Sequence, residues 1–83
     1  MQSVTAEEVQ RSCPMVWVEC FGKRVLARTA CRDGKALLTI TDMAILRQID
    51  GDGTFIFEWK ELADALNNAR PIFINCQARK LET

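Results

Sequence analysis

The 83-residue chain has no histidine and no tyrosine, only two prolines, and no net charge, because eleven Lys and Arg balance eleven Asp and Glu. The missing histidine removes the usual acid–base group at neutral pH, and with it the Ser–His and Cys–His nucleophile pairs. Serine occurs only at Ser3 and Ser12. Paired carboxylates, a lysine or an activated cysteine would have to supply any chemistry. Glu58 and Glu61, three residues apart, read as one solvated helix face. The chain is therefore expected to be non-enzymatic, with no catalytic residue, no cofactor and no metal. No run approaches the ~18–20 apolar residues of a membrane span, and Met1–Gln10 carries Glu7 and Glu8 in place of an apolar signal core. A cytoplasmic protein without a membrane partner is expected.

Four cysteines are present: Cys13, Cys20, Cys31 and Cys76. Six, ten and forty-four residues separate them, with no C-x-x-C and no histidine to complete a zinc site. An apolar share of 48% supplies a core without covalent staples, so free, mostly buried thiols are expected. Cys31, beside Arg32 and near Arg28 and Lys35, is the best candidate for an activated thiol, although its strand position favours a packed side chain.

The neutral total conceals an uneven distribution: +2 for residues 1–41, −4 for 42–66 and +2 for 67–83. A partner held mainly by charge is disfavoured by the total, yet a local basic surface remains open.

Hydrophobic patterning places the elements. Thr5 to Cys13 reads as a short helix, with Thr5 and Glu8 at capping-box spacing and Pro14 ending it. Met15 to Phe21, Arg24 to Cys31 and Lys35 to Ile40 read as three strands, separated by turns at Gly22-Lys23 and Arg32-Asp33-Gly34. Val16, Val18 and Cys20 share one strand face. Arg24 and Arg28 fall opposite Val25, Ala27, Thr29 and Cys31. Thr41 to Asp50 fits helix better than strand, because Arg47 breaks the alternation. Asp50-Gly51-Asp52-Gly53 is a break. Thr54 to Phe57 is a strand, Trp59 to Ala69 is the clearest helix, with Trp59, Leu62, Ala63 and Leu66 on one face, and Ile72 to Cys76 is a final strand. The residues after Gln77 are polar and are expected to fray.

These elements predict a single α+β domain: an antiparallel sheet of four to five short strands, with a main helix on one face and a short N-terminal helix. The expected core is Val16, Val18, Val25, Leu38, Ile40, Leu46, Ile56, Leu62, Leu66, Ile72 and Ile74.

Three motifs invite functional readings. Asp50–Gly53 resembles part of an EF-hand loop, but Gln48 and Trp59 then occupy positions that need carboxylates, so an acidic glycine turn is expected. Asp42–Ile49, followed by Glu61–Pro71 and Arg79-Lys80-Leu81-Glu82, resembles the second-helix-and-turn region of bacterial helix-turn-helix regulators. That resemblance implies a winged-helix second half and DNA binding. The chain departs from the pattern at Asn67 and Asn68, at the apolar Ile72-Phe73-Ile74, and at Gln77 and Lys80. Finally, Trp17, Phe21, Lys23, Arg24, Arg28, Arg32 and Lys35 are the candidate interaction surface on the meander. The leading expectation is an accessory or regulatory protein acting by protein–protein contact, through Trp17 or Trp59 among its aromatics, or as a homodimer. The alternative is a nucleic-acid-binding regulator using Arg24, Arg28, Arg70 or Arg79.

Overall fold

The computed structural model describes residues 3–75, which adopt an α+β fold. Helix α1 (Ala6–Ser12) starts as its sequence dictates. The Thr5 hydroxyl accepts from the Glu8 amide at 3.2 Å, and the Glu8 carboxylate accepts from the Thr5 amide at 3.3 Å. Cys13 closes the helix in the left-handed region at φ 44° and donates its amide proton to the Val9 carbonyl.

Strands β1 (Val16–Cys20), β2 (Lys23–Arg32) and β3 (Lys35–Ile40) form the expected meander. Asp33 and Gly34 both have positive φ, 52° and 77°, as a two-residue hairpin loop requires. The first loop differs from expectation. Cys20 pairs with Lys23, so the loop is Phe21–Gly22 and Lys23 belongs to the ladder.

Asp42 caps α2 (Met43–Leu46) by accepting from the Ile45 amide at 3.0 Å. This helix is a single turn that buries Ile45. Ile49, just beyond it, is also buried, while Met43 faces solvent. Strand β4 (Thr54–Phe57) pairs antiparallel with β3. Helix α3 (Trp59–Asn67) then crosses the sheet to β5 (Ile72–Phe73), which joins β1. The strand order is β4-β3-β2-β1-β5.

The antiparallel expectation fails at β5, which runs parallel to β1. Its direction is set by the α3 crossover and not by a hairpin, and no turn signal in the sequence links it to its neighbour. The same strand corrects the winged-helix alternative: Ile72–Phe73 is a sheet edge where a recognition helix would stand. Cys76 and the Arg79–Glu82 run lie outside the described residues.

Helices α1 and α3 pack together on one face of the sheet. Asn67 ties them to the chain start: its amide oxygen accepts from the Val4 amide at 2.7 Å and its Nδ2 donates to the Val4 carbonyl at 2.9 Å. Beneath the helices lie Val16, Val18, Val25, Ala27, Leu38, Ile40 and Ile72, with Val9, Ile45, Leu62 and Ala65 from the helical side. Leu46 is only partly buried. Two expected core residues are outside altogether: Ile56 is 70% exposed and Leu66 41%. Trp59, weighed as a contact aromatic, is instead buried in the core.

The cysteines also depart from expectation. Cys13 and Cys31 are free but exposed, whereas Cys20 is buried and disulfide-bonded.

Candidate sheet-face interface

Residues paired across a ladder share one face of the sheet, so the registers assign every strand residue a side. On β2, Val25 and Ala27 point to the helices, and Arg24, Leu26, Arg28, Ala30 and Arg32 point away. Directly across from these are Glu19 and Trp17 on β1, and Thr39, Leu37 and Lys35 on β3. Ile56 and Thr54 on β4 and Phe73 on β5 complete this outer face. No element among the described residues covers it.

Five of the seven surface candidates are therefore brought together: Trp17, Arg24, Arg28, Arg32 and Lys35. The other two are elsewhere. Phe21 sits in the hairpin loop. Lys23 lies opposite buried Cys20, on the helical side, with Nζ 3.6 Å from the Asp42 carboxylate. The Ile45 amide holds that carboxyl below its usual range, and the Lys23 charge adds to the effect.

The outer face is both apolar and basic. Trp17 is 52% exposed and Phe73 73%. Glu19 is its one carboxylate. Lys35 is paired with Glu58 at the rim, but Arg24, Arg28 and Arg32 enter no ion pair or side-chain hydrogen bond among the described residues. A depression of about 290 Å3 lies between Arg32, Lys35, Leu37 and Ile56. A crevice of about 300 Å3 opens at the other side of the face, where Trp17 and Arg24 meet Leu66, Arg70 and Ile72. Arg70 itself is bridged to Asp64.

Sequence reasoning missed Leu26, Leu37, Ile56 and Phe73 as members of this surface. Leu26 was legible, since it alternates with Arg24 and Arg28. Ile56 and Phe73 lie in runs that are apolar throughout (Phe55–Phe57 and Ile72–Ile74), where hydrophobicity carries no phase.

The remaining candidates resolve into structural roles. Asp52 accepts from the Thr54 amide at 2.9 Å, bracing the turn into β4. Cys31 pairs with Ala36 on the helical side, where Gln10 Nε2 donates to its sulfur at 3.2 Å, so Arg28, Arg32 and Lys35 lie on the opposite face. The cationic setting expected for Cys31 is thereby removed. Among the described residues, no three Cys, Asp or Glu side chains cluster as a metal site, and no helix is long and apolar enough to cross a membrane.

No protein-family model, no curated protein and no solved structure matches the chain.

Proposed function

We propose that this is a non-enzymatic accessory or regulatory protein that acts by contact with another protein, and that the outer sheet face is its contact surface. The observation that carries the reading is a sheet face, uncovered among the described residues, on which Trp17, Ile56 and Phe73 are each more than half exposed beside three arginines that have no ion pair among those residues. Aromatics and arginine are the side chains that dominate protein interfaces, and large apolar side chains exposed together on one sheet face mark an interaction site. A homodimer through this face is disfavoured, because it would set arginines against arginines.

Single-stranded nucleic acid is the second reading, favoured by Trp17 as a stacking platform among arginines. It requires affinity for single-stranded DNA that falls steeply with salt. A cytoplasmic location belongs to the leading reading. The Cys20 disulfide stands against it, since such bonds persist mainly in oxidising compartments.

The test is affinity capture from native lysate with the wild-type chain and with Trp17→Ser/Ile56→Ser/Phe73→Ser. The wild type is expected to hold a partner at fixed stoichiometry, and the variant to lose it at an unchanged thermal midpoint. Retention of the same partner by both proteins, or a wild type that light scattering shows to be a monomer with no partner, contradicts the reading.

A further inference from the structure

The outer face is ordered along its strands as well as across them. Its registers form rows perpendicular to β2. Three rows carry arginine: Arg24 with Glu19 and Phe73, Arg28 with Thr39 and Thr54, and Arg32 with Lys35, and the four cations outweigh the single carboxylate. Two apolar rows alternate with them: Leu26 with Trp17, and Ala30 with Leu37 and Ile56. Successive rows are two residues apart on β2, hence about 6.6–6.8 Å, and the five rows span about 27 Å.

The geometry points to one occupant: an extended segment of another protein, laid along β2, whose sheet-facing residues alternate acidic and apolar in the order acid-x-apolar-x-acid. This inference rests on the surface reading above and specifies the partner's chemistry. An extended strand presents every second residue to one side at the same 6.6–6.8 Å spacing. Its acids therefore fall on the arginine rows and its apolar residues on the Trp17 and Leu37 rows. The three arginines have no partner within the described chain, so an acidic segment supplies the charge that the face lacks.

Other occupants fit less well. A helix repeats every 5.4 Å and drifts out of step with the rows over their span. A nucleic acid strand would use the arginines and Trp17 but leave Leu26, Leu37 and Ile56 without an apolar cover.

The experiment measures fluorescence anisotropy of two labelled nine-residue peptides with the full chain. One is Glu-Ser-Val-Thr-Glu-Ser-Leu-Thr-Glu. The other has the same composition with its three glutamates consecutive at one end. The ordered peptide is expected to bind at least tenfold more tightly. Arg28→Glu is expected to abolish that binding, and a peptide with lysine in place of its central glutamate to restore it on the variant. Equal affinities, no binding of either peptide, or tighter binding of a fifteen-residue oligothymidylate overturns the proposal. The capture experiment reads the surface independently. If the face variant loses its native partner while the ordered peptide fails, the surface stands and this occupant falls. If capture is also unaffected, both fall.

Discussion

Ala69 holds φ at 50°, a left-handed conformation that helix C-termini usually assign to glycine. The Arg70 amide donates to the Ala65 carbonyl at 3.0 Å across it, which ends α3 and turns the chain toward β5. The alanine methyl is strained there, so Ala69→Gly is expected to stabilise the protein by about 1 kcal/mol, read as a rise in thermal midpoint. Asp42 gives a second expectation at this scale. Its folded pKa is depressed by the Ile45 amide and by Lys23. Its contribution is therefore present above the unfolded aspartate value of about 4 and lost as pH falls through the lower folded value. The midpoint difference between wild type and Asp42→Asn should be widest near neutrality and close on acidification. A difference that widens in acid would contradict the assignment. Residue signals with a local cause were legible beforehand, such as the Thr5–Glu8 box and Asp33-Gly34. Phe21 in a left-handed loop position was not, because cross-strand register and not propensity places it there.

At the scale of elements, legibility followed phase. Where apolar and polar residues alternate, as at Arg24, Val25, Ala27 and Arg28 of β2, the sequence assigned those residues to the correct faces, although Leu26 went unassigned. In β4 and β5 every position is apolar or nearly so, and only the pairing of Leu37 with Ile56 and Glu19 with Phe73 shows which side chains face out. The consequence is measurable. Leu62 is fully buried on the sheet-facing side of α3, and Leu62→Ala is expected to cost about 2–5 kcal/mol, or roughly 10 °C or more in midpoint. Ile56→Ser, at a residue of the same hydrophobic class, should stay within about 0.5 kcal/mol. Comparable losses for the two would place Ile56 in the core and remove it from the contact face. The direction of β5 was illegible for a different reason: a crossover through α3 leaves no turn residues to declare it.

For the whole molecule, zero net charge was the least informative number in the sequence. The fold separates what the sum combines. Arg24, Arg28 and Arg32 emerge on the open side of the sheet, while Glu61 and Asp64 sit on the solvent side of α3. The missing histidine narrows the available chemistry, and the sheet face left uncovered by the described residues supplies a positive reason to expect binding. The most direct measurement of that claim is hydroxyl-radical footprinting of the native complex against the free protein. Trp17 and Phe73 should lose most of their oxidation on complex formation, while Met43, 61% exposed on α2 away from that face, keeps its own. Unchanged oxidation of Trp17 and Phe73, with protection at Met43, would contradict it.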